Sequence, residues 1–246
     1  MTDFCRYPPE AEKLPKVGGY VDPSFEQIMR LKPDMAILLK EHGKLISFLE
    51  KQKIRTVTIN NENIEGIFAS IRKIGEACGV RQHADSIIAA IDSSLMCSKT
   101  LLKTRPRVLF CVGRGNPGSG TIGKVFCAGS RSFYSELIER AGGINAVTDT
   151  VLVYPSFSGE GIIHLNPDII IDVMASNHSL APEKVSADWN QLQMVPAVKT
   201  GAVYALTGNY VSIPGPRIVL IYNELNRCFT DWNHRCSRGN ACLHFR

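Results

Sequence analysis

Residues 26–37, "EQIMRLKPDMAI", return 134 residues later as "EGIIHLNPDIII" at 160–171. Both segments read E-x-I-x-x-L-x-P-D and run into three apolar residues. Each has the logic of a short helix, a proline that stops it and a buried strand behind it. Chance can supply Leu-x-Pro-Asp twice, but the glutamate, the isoleucine and the apolar run fall in the same register as well. One supersecondary unit used twice predicts two related lobes.

The elements around the repeat have the same character. Strand patterns at Met35–Leu39 and Thr56–Ile59 alternate with helical patterns at Gly43–Gln52 and Asn63–Cys78. Alternation of this kind predicts an α/β fold with parallel sheet. Residues 80–103 carry the longest uninterrupted helical pattern, about 36 Å of helix at 1.5 Å per residue, and Pro106 ends it. A second α/β series follows, with strands at 107–112, 169–173 and 202–206 and a last helix from about Arg217. The predicted order is an N-terminal lobe over 1–79, a connecting helix over 80–104, a C-terminal lobe over 105–227 and a tail of unknown role over 228–246. A groove between two lobes is a common place for a small-molecule site.

One motif points elsewhere at first sight. The strand at 108–112 enters Gly113-x-Gly115-x-x-Gly118, the glycine pattern of a dinucleotide-binding turn. Such a turn works only when a helix opens at once, so that its N-terminal N–H groups face the phosphates. Here Pro117, Ser119, Gly120, Thr121 and Gly123 follow, then an apolar stretch at 124–128; the first helical pattern begins near Ser132. The loop reads as a glycine-rich connection between strands. An α/β enzyme using it for a phosphate ligand stays open as the alternative from another functional class.

The remaining composition excludes more than it assigns. A net charge of +5 without a block of Lys or Arg gives no nucleic-acid footprint. No apolar run reaches the ~18–20 residues of a membrane span, and the first residues lack the pattern of a secretory signal. The eight cysteines form no C-x-x-C pair and match no zinc spacing. Cys78, Cys97, Cys111 and Cys127 lie in apolar surroundings and read as small buried hydrophobes. Cys228, Cys236 and Cys242 lie in a polar, basic tail, where they could pair or hold a metal. His42, His83, His164 and His178 show no convergence, so no metal site is expected.

Three long segments carry a family likeness. "YPPEAEKLPKVGGYVDPSFEQIMRLKPDMAILL" (7–39), "FCAGSRSFYSELIERAGGINA" (126–146) and "VPAVKTGAVYALTGNYVSIPGPRIV" (195–219) resemble, in order, the signature regions of the periplasmic binding proteins that serve cobalamin and ferric-siderophore ABC importers. The resemblance spans most of residues 3–225. It implies two Rossmann-like α/β lobes joined by one long helix, no catalysis and no cofactor. The implied function is capture of a corrinoid, ferric siderophore or similar metal chelate between the lobes, with delivery to a dimeric membrane permease. A monomer in the periplasm, or anchored outside the membrane, is expected. The chain departs from the family at both ends. Set against the resemblance, the first lobe is expected to be without the family's usual N-terminal strand-helix-strand and leader, and the tail matches nothing in the family. Those departures keep a non-transport or degenerate member of the family open as a further alternative to the binding-protein reading.

Matching motif to motif, the resemblance places ligand contacts at Phe4, Tyr20, Tyr154, Asn209 and Tyr210. A flat, partly apolar chelate is held by burying its faces against aromatic rings, with a few polar groups fixing its orientation. Each of these rings, taken alone, could equally cover the edge of a lobe. The resemblance also assigns Glu26 and Glu160 to permease docking, one acid per lobe. A structural role as acids near a helix N-terminus, each worth ~0.3–1 kcal/mol, is compatible with docking. Pro33-Asp34 and Pro167-Asp168 are expected to end a helix and aim a strand, and Gly142-Gly143 to cap a helix.

Overall fold

In the computed structural model of the chain, residues 1–97, 102–148, 151–174 and 181–238 are described. They form two compact units, one of Met1–Asn61 with Glu65–Ser86, the other of Glu62–Ile64 with Ile87–Arg246.

The first unit contains helix α1 (Phe25–Arg30), strand β1 (Met35–Leu39), helix α2 (Gly43–Lys51), strand β2 (Arg55–Ile59) and most of helix α3 (Ile64–Ala77). β1 and β2 pair in parallel, Met35 opposite Arg55 through Leu39 opposite Ile59. Ile28, Leu45 and Leu49 form its buried centre, with Val17, Ala36, Leu38 and Ile54 packed around them. The chain passes to the second unit within helix α4 (Arg81–Cys97), between Ser86 and Ile87. Residues 98–101 lie outside the described residues, and 102–104, where the helical pattern predicted a continuation, are not helical.

The second unit continues with strands β3 (Arg107–Arg114) and β4 (Val125–Cys127), helix α5 (Phe133–Arg140) and strands β5 (Ile144–Asn145) and β6 (Ser156–Phe157). Helix α6 (Gly159–Leu165), strand β7 (Ile169–Met174), helices α7 (Pro182–Ala187) and α8 (Pro196–Lys199), strand β8 (Val203–Thr207) and helix α9 (Ile218–Arg238) complete it. The sheet runs β6-β4-β3-β7-β8, with β5 also on β3. β3, β7 and β8 are parallel to one another and β4 is antiparallel to β3. Helix α5 ends as a Schellman motif: Gly142 has φ +99°, its N–H reaches the Glu139 carbonyl, and the Gly143 N–H reaches the Ile138 carbonyl. A side chain on Gly143 would meet the Phe229 ring at 2.9 Å, so the second glycine lets α9 approach closely.

The repeat folds as the same unit twice. Ser24 and Ser158, also 134 residues apart, cap α1 and α6 by accepting the N–H of Gln27 and Gly161 at 3.3 Å each. Lys32 and Asn166 both take a left-handed turn at φ 48° before the proline, and β1 and β7 start at Met35 and Ile169. Asp168 acts structurally, as its position after the proline suggests. Its carboxylate accepts the Arg107 N–H at 2.8 Å and its N–H donates to the Arg107 carbonyl at 2.8 Å, tying the starts of β3 and β7.

Two expectations need correction. The boundary drawn at 227 falls inside α9, which continues to Arg238 and buries Cys228, Phe229 and Trp232 in the face begun by Ile218, Ile221, Tyr222 and Leu225. Asp231 accepts the Tyr204 hydroxyl at 2.6 Å and pairs with Arg235 at 2.7 Å, fastening this part of α9 to β8. Cys228, Phe229 and Trp232 therefore belong to the second unit's core rather than to a separate tail, and residues 239–246 of the expected tail lie outside the described residues. The Cys228 thiol is pushed up to about 12 by burial, as a buried hydrophobe's would be. Cys78, in contrast, is exposed, because α3 ends at Ala77 and its C-terminal turn faces solvent.

Candidate functional site

The glycine loop after β3 has a structural occupant of its own. Gly118 and Gly120, at φ +80° and +78°, turn their N–H groups onto the two carboxylate oxygens of Asp188, each at 2.6 Å. Arg114 reaches the same carboxylate at 2.8 Å with Nη2 and Asp172 at 2.8 Å with Nε, and the Trp189 indole donates to Asp172 at 2.9 Å. Gln191 donates to the Gly120 carbonyl. The loop is thus an anion cradle of the kind successive glycine N–H groups form, and the anion is a side chain of the protein. A phosphate would need the donors that Asp188 already holds. No helix follows the loop before α5.

The two carboxylates beside Arg114 titrate in opposite directions. Burial raises Asp172 and outweighs the attraction of Arg114. Burial also acts on Asp188, but the Gly118 N–H, the Arg114 guanidinium and the Gly120 N–H together hold it below the ordinary carboxylate range. This network fixes the end of β3 against the segment that carries Trp189.

The predicted contacts fall into one group in each unit. In the first, Phe4 and Tyr20 are 58% and 53% exposed. Their segments are held together by the Asp3 N–H on the Gly18 carbonyl and the Val17 N–H on the Met1 carbonyl, both 3.0 Å. Tyr20 lies edge-on to His42, ring centroids 5.7 Å apart, and its backbone carbonyl is 2.8 Å from His42 Nε2. Burial, then the charge of Glu41, raises the Tyr20 hydroxyl above its ordinary value.

In the second unit Tyr154 is 41% exposed and lies edge-on to Tyr134, centroids 6.4 Å apart. Tyr134 is buried, stacks on Phe110 of β3 at 4.4 Å and donates its hydroxyl to the Val211 carbonyl at 2.6 Å. It therefore links Tyr154 to the turn after β8 that carries Asn209 and Tyr210. Asn209 accepts from Arg217 at 2.6 Å. Tyr210 lies over Gly208, whose φ of +145° and missing side chain make room: a Cβ there would meet the ring at 2.7 Å. Burial, then Glu224, raises the Tyr210 hydroxyl, with Arg227 opposing.

Tyr134 and Arg217, which hold these predicted contacts in place, are not marked as such by the sequence. The Tyr134 signal was its place directly after Phe133 at the opening of α5; nothing local announces a bond to a carbonyl 77 residues away. A groove of about 470 Å³ elsewhere on the second unit, lined by Glu183, Asn190, Tyr204 and Arg227 among others, includes none of the predicted contacts.

Glu26 and Glu160 occupy the same position in the first turn of α1 and α6, and both are exposed. Glu26 pairs with Arg30 one turn on at 2.8 Å, which at this exposure is worth only a few tenths of a kcal/mol. Among the described residues, no group of three or more His, Cys, Asp or Glu is placed to hold a metal ion. His178 lies outside them. No helix of the described residues is long and apolar enough to cross a membrane.

The chain belongs to the periplasmic binding protein family, which it matches over residues 1–210. It is 27% identical over 234 residues to YvrC of Bacillus subtilis, an uncharacterized ABC transporter substrate-binding lipoprotein, covering 92% of this chain and 70% of that one. It is 22% identical over 237 residues to the vitamin B12-binding protein of Salmonella typhimurium, covering 95% and 83%. Among solved structures, a periplasmic heme binding protein from Pseudomonas aeruginosa shares the fold at a TM-score of 0.77, with 22% identity over 93% of this chain and 83% of that one.

Proposed function

We propose that this chain is the substrate-binding protein of an ABC importer, working outside the cytoplasmic membrane on a flat metal chelate of the corrinoid or haem type. Family membership over residues 1–210 carries this reading. It is supported by relatives named for vitamin B12 and heme binding and by the half-exposed rings of Phe4, Tyr20, Tyr154 and Tyr210. Rings presented on fixed turns offer large apolar area at low entropic cost, which suits a tetrapyrrole face. Asn209, its side-chain carbonyl held by Arg217, offers its amide N–H groups to polar substituents of the ligand. A nanomolar scavenger needs about 12 kcal/mol of binding free energy, within reach of several aromatic contacts.

The two compact units are the two lobes in this reading, and Glu26 and Glu160 dock one on each of two permease subunits. Identical placement in a duplicated helix gives a two-fold partner one anion per lobe, which sets orientation and on-rate more than affinity. The test separates the two roles. Tyr154→Ala and Tyr210→Ala should each weaken binding of cyanocobalamin or haemin about tenfold or more, read by fluorescence titration. Glu26→Ala and Glu160→Ala should bind as the wild type does and fail to stimulate ATP hydrolysis by the reconstituted permease. Full stimulation by the glutamate double variant would remove the docking assignment and leave ligand capture standing.

A further inference from the structure

Two buried thiols of the second unit are not among the proposed ligand contacts. Cys111 of β3 and Cys127 of β4 stand directly opposite each other in the antiparallel ladder. Both are completely buried, both are free, and both face one apolar cluster with Leu109, Val125 and Trp189. The Ala128 N–H donates to the Phe110 carbonyl at 2.8 Å, which makes Cys111 and Cys127 a non-hydrogen-bonded pair, the kind whose side chains stand closer. Directly opposed residues of an antiparallel pair have Cα atoms about 4.5–5.5 Å apart, inside the ~4.4–6.8 Å that disulfides span.

We propose that Cys111 and Cys127 form a cross-strand disulfide when the chain folds in an oxidising compartment, stapling the two strands that flank the 115–124 loop. The oxidant is a low-molecular-weight or protein disulfide. The thiolate of one cysteine attacks it, forms a mixed disulfide and releases one thiol. The second cysteine loses its proton to solvent, attacks the protein sulfur of that mixed disulfide and releases the second thiol. The two cysteines give up two electrons and two protons, and the oxidant is reduced to two thiols.

The surroundings also set the timing. Burial, reinforced by Cys127, pushes the Cys111 thiol well up, so the attacking thiolate is disfavoured once the core has closed. The bond therefore forms on the folding chain, and the folded, reduced protein resists the same oxidant. Once formed, the crosslink holds the loop whose Gly118 and Gly120 N–H groups cradle Asp188. An oxidising location in the cell follows from the reading above, but the pairing itself is independent of ligand and permease.

The experiment is a refolding of the full chain from denaturant and reductant, with and without a glutathione redox buffer. Acid quenching, thiol alkylation and a non-reducing peptide mass map follow. The expected result is a peptide pair joined through Cys111 and Cys127 only in the oxidising arm, with a Tm higher by roughly 5 °C or more. Protein exported to a bacterial periplasm, mapped the same way, should show the same link without any refolding step. Alkylation of both cysteines in the exported protein, or a link from either to a different cysteine, overturns the proposal.

Discussion

Ile37 and Ile171 hold the same place in the two copies of the repeat, yet one is 42% exposed and the other fully buried. Local sequence and local structure are alike up to this point: a serine cap, a short helix, a left-handed residue, a proline and a strand. The difference comes from the neighbours. β7 lies between β3 and β8, whereas β1 pairs only with β2 among the described residues. One residue further, Leu38 in the first copy stands where Asp172 stands in the second, and the Arg114 and Trp189 hydrogen bonds make a carboxylate tolerable in a buried strand. The same motif is a half-exposed strand in one unit and the middle of a polar-latched sheet in the other.

The largest way to break this contrast is through the latch, which the first copy lacks. Asp188→Ala leaves Arg114 with one carboxylate and strips the acceptor from Gly118 and Gly120; it should cost about 3–5 kcal/mol in urea unfolding at pH 7. Asp188 is held below its unfolded value of ~3.9, so the stability it contributes is complete above about pH 4 and is lost as pH falls below that. The gap between wild type and Asp188→Asn should accordingly narrow on going from pH 7 to pH 3. A gap of constant size would show that Asp188 does not act through its charge.

Next in size is the paired isoleucine. Ile171→Ala should cost about 2–5 kcal/mol by opening a cavity in a packed core, and Ile37→Ala about 1 kcal/mol or less. Equal losses would mean that β1 is as enclosed as β7. The serine caps should restore the symmetry, since Ser24→Ala and Ser158→Ala each remove one hydrogen bond to a helix N-terminus and should cost about 1 kcal/mol apiece. The smallest effect is expected at the left-handed turn. Lys32→Gly should stabilise by a few tenths of a kcal/mol to about 1, because a lysine at φ 48° is strained. Asn166→Gly, replacing a residue that already tolerates that turn, should change little.

What the chain announces locally was legible. The repeat, the main strands and the missing helix after Gly118 followed from period, proline and glycine placement. The two-residue strands β5 and β6 carry no readable period, and α7 and α8 are short helices of six and four residues opened by Pro182 and Pro196. The continuation of α9 was encoded in the apolar spacing 218, 221, 222, 225, 228, 229, 232, but the interleaved charged and polar residues masked it. The Asp188 cradle and the Tyr134 link were out of reach for a different reason. Each joins side chains to backbone 68 to 77 residues distant, where only the folded topology makes them neighbours. The candidate contacts came from resemblance, and what the fold adds is the turn that holds each ring.

The most direct measurement is an equilibrium titration of the purified full chain with cyanocobalamin and with haemin, following protein fluorescence and the shift in Tm. The account predicts saturable one-site binding of at least one of the two, weakened by Tyr154→Ala and Tyr210→Ala and unchanged by Glu26→Ala and Glu160→Ala. A well-folded protein that saturates with neither ligand would contradict it.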